Sequence, residues 1–236
     1  MKKLILLAAV LGNVLIGSAT NTINNVYDNA NLYTAGGGST VERIVEIDVN
    51  WLNGPVSVVY GDVEAPTWQE YPASSTFEPK FQMYYRVYDG KLKIQFCQSG
   101  HWKVKKDLVE KSLVITLPQN AQYNKVDVEN VNGAIVVAIE TAEVDVETVN
   151  GSIEVHNLLP ARKIDAESMN GSITVYQPSN MGFTAEYETV LGKFSTEFEG
   201  TYRDSKRDGE FTTTLVANTE MDFETVNGSI RVKKAE

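Results

Sequence analysis

Two sets of side chains in this sequence could do chemistry, and they carry opposite charge. The first is acidic and periodic: Asp127, Asp145, Asp165, Thr184 and Asp222 fall at one equivalent position, with Glu129, Glu147, Glu167, Glu186 and Glu224 two residues on. If these positions stack on neighbouring strands about 4.8 Å apart, facing carboxylates approach the roughly 5 to 5.5 Å separation of a retaining glycosidase pair. The same columns could instead hold divalent cations, or form a solvated face that keeps a sheet from aggregating. An active site needs two acids in environments that separate their proton affinities, and these columns are regular. A solvated face is the simplest expectation, so no catalytic residue and no metal ligand is assigned.

The second set is aromatic and basic: Tyr84, Arg86, Tyr88, Lys91, Lys93 and Trp102. From Lys80 to Lys111 the chain holds eight Lys or Arg against Asp89, Asp107 and Glu110, within a protein of formal net charge -10. Tyrosine and arginine projecting together can stack on sugar rings and pair with carboxylate or phosphate. These six residues are the expected ligand-binding set, with an acidic glycan or another envelope component as partner. The alternative is structural: Trp51, Trp68, Tyr71 and Phe77 close the end of a core while the lysines protect an edge strand.

The rest of the catalytic inventory is thin. Cys97 is the single cysteine, which excludes an internal disulfide framework and any paired-cysteine motif, and it is expected as a buried thiol. His101 and His156 are the only histidines, too few and too far apart for a zinc site. No cofactor is expected, and the acid excess argues against nucleic acid as a partner.

The elements that position these groups follow from period-2 alternation and turn chemistry. Phe81 to Tyr88 and Lys91 to Phe96 flank Asp89-Gly90, which predicts a hairpin pairing Val87 with Leu92, Tyr85 with Ile94 and Met83 with Phe96. Tyr84, Arg86 and Tyr88 then share one face, while Met83, Tyr85 and Val87 take the other. The acidic columns sit in a repeat: VDVENVNGAIVV from Val126, VDVETVNGSIEV from Val144, IDAESMNGSITV from Ile164 and MDFETVNGSIRV from Met221. A degenerate copy runs from Phe183 to Thr196, and the longer gap before Gly228 predicts an insertion or weak copy around Gly209.

Each unit predicts two short strands about a corner at Asn132-Gly133, Asn150-Gly151, Asn170-Gly171, Gly192 or Asn227-Gly228, where glycine would supply positive φ. Asn-Gly could close a two-residue hairpin or turn the corner between faces of a solenoid. Near-identical columns favour stacking, with valines inside and the asparagines forming a ladder. The expected fold is all-β, a single-stranded β-helix or β-solenoid with an irregular, aromatic-rich N-terminal β region.

Leu113-Val114-Ile115-Thr116-Leu117-Pro118 followed by these repeats resembles the bacterial putative-adhesin family of β-strand-repeat proteins, a domain of unknown function. The resemblance runs from about Val41 to the C-terminus. It implies an exported β-helix and brings no established catalytic residue.

Met1-Lys2-Lys3, the apolar run Leu4 to Ile16 and Gly17-Ser18-Ala19 predict a signal peptide over residues 1–19, too short in its apolar run to span a bilayer. An asparagine-rich, glycine-ended leader is expected over 20–40, then one domain over 41–236, with a capping region at 41–111 and repeat rungs at 112–236. The mature chain is expected to lack a transmembrane segment and to be periplasmic, surface-associated or extracellular. The functional expectation is a non-enzymatic envelope or extracellular binding module. Its alternatives are a pectinase-like polysaccharide enzyme and an envelope protein that binds only proteins.

Overall fold

The computed structural model describes residues 32–74, 78–97, 109–119, 121–159 and 161–235. The expected signal peptide, most of the leader, Phe77, His101 and Trp102 lie outside the described residues. Two large sheets make up the protein, neither closed on itself. The first has eleven strands in the order β1 (Thr34–Ala35), β6 (Tyr84–Tyr88), β7 (Lys91–Gln95), β3 (Glu46–Asn50), β9 (Tyr123–Asn132), β11 (Thr141–Asn150), β13 (Lys163–Asn170), β19 (Ala217–Thr225), β15 (Gly182–Thr189), β18 (Asp208–Thr213) and β17 (Gly200–Asp204). The second has nine: β16 (Phe194–Thr196), β20 (Ile230–Ala235), β14 (Ile173–Pro178), β12 (Ile153–His156), β10 (Ile135–Ala138), β4 (Val56–Gly61), β8 (Lys111–Pro118), β5 (Thr67–Pro72) and β2 (Gly38–Ser39).

Within the repeats the chain changes sheet at each Asn-Gly corner, so the two halves of a unit do not pair with each other. Equivalent residues pair across units instead: Asp127, Asp145, Asp165 and Asp222 lie in parallel register, as do Glu129, Glu147, Glu167 and Glu224. Parallel sheets are usually covered on both faces, but here each repeat strand buries only one, and period-2 alternation supplies it. Val126, Val128, Val144, Val146, Ile164 and Ala166 meet Ile135, Val137, Ile153, Val155, Ile173 and Val175 in one dry core. Burying each such valine or isoleucine contributes roughly 1.5 to 3 kcal/mol.

Strand order departs from chain order at both ends. β3 and β4, from the expected capping region, stack directly beside β9 and β10. At the other end β19 lies between β13 and β15, so the last unit in the chain fills a slot left by its predecessors. The expected irregularity near Gly209 is the antiparallel hairpin of β17 and β18, which covers β15. The described part of the expected leader is not structureless: β1 pairs with β6 and β2 with β5.

Candidate functional site

The β6–β7 hairpin takes the register that its sequence predicts, with Tyr84 opposite Gln95, Arg86 opposite Lys93 and Tyr88 opposite Lys91. Asp89 at φ 49° and Gly90 at φ 75° make the turn, the two positive φ values that twist a two-residue hairpin correctly. Met83, Leu92 and Ile94 are buried beneath it, and Tyr85 and Val87 pack against the same core. Tyr84, Arg86, Tyr88, Lys91 and Lys93 are half-buried on the opposite side. The Arg86 guanidinium lies over the Tyr88 ring, 4.3 Å from its centre.

Two of the cations already have partners. Lys93 Nζ bonds Asp48 Oδ2 at 2.9 Å, and Lys91 Nζ lies 3.3 Å from Glu46 Oε2. Burial opposes the Lys93 charge, but Asp48 outweighs it and holds the ammonium above its ordinary pKa. Arg86 makes no ion pair among the described residues. Tyr33, which the sequence reading passed over as leader, belongs to this face: Gln95 Nε2 donates to its hydroxyl at 3.5 Å, and burial raises its pKa amid Lys93, Tyr88, Asp48 and Arg86. Cys97 is buried, at 7% exposure.

From Lys93 the outward row continues as Asp48, Asp127, Asp145, Asp165 and Asp222. Beyond Asp222 the register corrects the sequence reading. Glu186, not Thr184, pairs with Asp222, and Glu188, not Glu186, pairs with Glu224, because the stretch from Phe183 to Gly192 is two residues longer than the matching stretch from Val126 to Gly133. Lys125 Nζ bridges Asp127 at 2.7 Å and Asp145 at 2.9 Å, and Lys163 bonds Asp165 at 2.9 Å.

Among the described residues no lysine or arginine pairs with Glu129, Glu147 or Glu167, and these three are half-buried. Burial and the neighbouring carboxylates push Glu129 and Glu147 up to about 7 and Glu167 to about 8. At the far end Glu186, Glu188, Arg203, Asp208, Glu210 and Glu224 line a shallow pocket of about 260 Å³. Among the described residues no group of His, Cys, Asp and Glu is arranged to hold a metal ion.

The corners that align these rows carry an asparagine ladder, while their glycines differ from expectation. Asn150 Nδ2 donates to Asn132 Oδ1, Asn170 to Asn150 and Asn227 to Asn170, at 2.9, 2.9 and 2.6 Å. Gly133 alone among the five corner glycines has positive φ, at 145°. The others are required by close approach: a Cβ on Gly151 would overlap the Gly133 carbonyl, and Gly171, Gly228 and Gly192 repeat that contact in turn. A buried polar ladder that the sequence reading missed holds the same carbonyls. Asn130, Thr148, Ser168, Thr225 and Thr189 donate to Gly54, Gly133, Gly151, Gly171 and Gly228 at 3.0 to 3.3 Å. Its signal was available, a small polar residue three positions before each glycine.

Lys111, counted in the basic stretch from sequence, is fully buried. Its ammonium bonds Glu70 at 2.5 Å and the Phe81 and Phe96 carbonyls at 2.6 Å. Burial lowers its pKa against the opposing pull of Glu70. Trp51 and Trp68 are buried, Trp51 with its indole N–H donating to the Lys111 carbonyl, whereas Tyr71 is 54% exposed and closes nothing.

No protein-family model matches the chain, and no curated protein is similar to it in sequence. Solved structures are similar in fold. A "putative cell adhesion protein from Clostridium sporogenes" superposes with a TM-score of 0.63 at 15% identity, over 86% of this chain and 100% of that one. A "putative adhesin from Bacteroides fragilis" covers 85% of this chain and 96% of its own at 11% identity, with a TM-score of 0.35. In fold as in repeat pattern, the chain resembles the bacterial putative-adhesin family of β-strand-repeat proteins.

Proposed function

We propose that this protein is an exported, non-enzymatic binding module of adhesin type, built on a β-solenoid whose two faces are the two sheets. Its ligand is an acidic glycan or another anionic surface component, met by Tyr33, Tyr84, Arg86 and Tyr88, with Lys91 and Lys93 setting the local field. The observation that carries this reading is the outward side of β6 and β7, where two tyrosines flank an arginine that has no carboxylate partner among the described residues. Elsewhere that face is acidic, which confines attraction for an anion to one end. Export accords with the predicted signal peptide, and no helix among the described residues is long and apolar enough to cross a membrane. The names of the similar structures point the same way.

The hydrolase alternative needs two acids with separated proton affinities. Glu129, Glu147 and Glu167 are instead all raised together by the same cause. A glycan-array screen of the chain lacking residues 1–19, run beside a turnover assay on acidic polysaccharides, tests the proposal. Retention of sulfated or uronic-acid glycans without cleavage is expected. Cleavage of any of them, or a blank array, would overturn it.

A further inference from the structure

The glutamate row differs from an ordinary charged surface in three respects. Glu129, Glu147 and Glu167 lie in register on adjacent parallel strands, whose backbones are spaced about 4.8 Å apart, so their side chains are immediate neighbours along the row. No lysine or arginine pairs with any of the three among the described residues, although Lys125 and Lys163 serve the aspartate row beside them. On the other flank Val131, Val149 and Met169 point to the same side and are half-buried, so the carboxylates stand beside an apolar strip rather than open water.

We propose that this row is a proton-sharing strip that makes the fold more stable in mild acid than at neutral or alkaline pH. The inference does not depend on the ligand of the β6–β7 face. The groups packed against the row are mostly acidic, with three lysines opposing them. β9 presents Lys125 and Asp127, β11 presents Glu143 and Asp145, and β13 presents Lys163 and Asp165. β3 adds Asp48 and Asn50, β7 adds Lys93 and Gln95, and β19 adds Glu220, Asp222 and Glu224. The side chains beneath, Val128, Val146 and Ala166, are apolar and buried. Carboxylates therefore outnumber cations around the row, and a carboxyl hydrogen-bonded to a neighbouring carboxylate relieves the repulsion.

The sign follows from proton counting. Folding raises these groups to about 7, 7 and 8, while an unfolded chain releases their protons near the ordinary glutamate value. Between those limits the folded protein holds more protons, so stability falls as pH rises and the full penalty is present above the raised values. Asp127 and Asp165, also raised chiefly by burial, contribute with the same sign.

The test is denaturant unfolding of the native chain from about pH 5 to about pH 8.5, beside a variant carrying Glu129→Gln, Glu147→Gln and Glu167→Gln. The native midpoint is expected to fall across that range, and the variant to lose most of the fall and to exceed the native chain at the alkaline end. A native midpoint that is flat or rises with pH would overturn the proposal, as would a variant that keeps the native slope. Carboxyl-carbon NMR titration of the native chain reads the row without any substitution. Midpoints near neutrality support the strip, and ordinary glutamate midpoints sink it.

Discussion

Lys111 shows how far a single side chain can depart from its type. A lysine with no exposure survives in this core because Glu70 and two backbone carbonyls replace the water it gave up, and because the Phe96 and Trp51 rings lie 4.1 and 4.8 Å from the ammonium. Glu70 is in turn fixed by the Met83 backbone N–H at 3.0 Å, so one ion pair ties β5, β8 and the approach to the hairpin together. Lys111→Met should therefore destabilise by about 3 to 5 kcal/mol, because it strands a buried carboxylate. Adding Glu70→Leu should recover much of that loss, since the pair as a whole contributes little net stability. Lys91→Met, which breaks a part-exposed pair, should change stability by no more than about 1 kcal/mol. Urea unfolding midpoints check all three, and a Lys111→Met variant as stable as the Lys91 variant would contradict the buried-pair account.

At the scale of elements, the corner decides whether one repeat unit can pair with the next. Gly151 sits so close to the carbonyl of Gly133 that any β-carbon forces the two units apart, and the Thr148 hydroxyl is bonded to that same carbonyl. Gly151→Val should cost about 2 to 4 kcal/mol, while Ser152→Ala next to it, on an exposed side chain, should stay within about 0.5 kcal/mol. Thermal unfolding of the two variants decides the point, and equal melting temperatures would refute the close-approach argument.

Legibility varied by element for physical reasons. The β6–β7 register could be read because a one-residue slip would bury Arg86 and Lys93, and Asp-Gly fixes the turn. The column assignments of Thr184 and Glu186 failed because the copy was aligned at Phe183, and this copy has two more residues before its glycine than the others have. Counting back from Gly192 gives Glu186 and Glu188, as the register has it. Tyr33 was missed because a two-residue strand leaves no periodic trace. Lys111 was misplaced because no local pattern reports that a glutamate 41 residues away will meet it.

The whole molecule is polarised along the stack. One end of the larger sheet presents tyrosine, arginine and lysine, and the rest of its outer face presents carboxylates up to the pocket around Glu188 and Arg203. Spacing along the chain placed β15 before β19, but the structure seats the Asn227 corner on Asn170, with β15 beyond it and the hairpin of β17 and β18 on the far side of β15. Under the proposed function, such an arrangement would attract an anionic ligand to the β6–β7 end and repel it from the remainder. The most direct measurement is binding of an immobilised acidic polysaccharide, such as polygalacturonate or chondroitin sulfate, to the native chain and to Arg86→Ala and Tyr84→Ala, each paired with its melting temperature. The account predicts that each substitution weakens binding by on the order of 1 to 3 kcal/mol with little change in melting, the Arg86 loss shrinking as salt is raised. Lower melting temperatures with no polysaccharide binding to lose would contradict it and leave the hairpin as a structural cap.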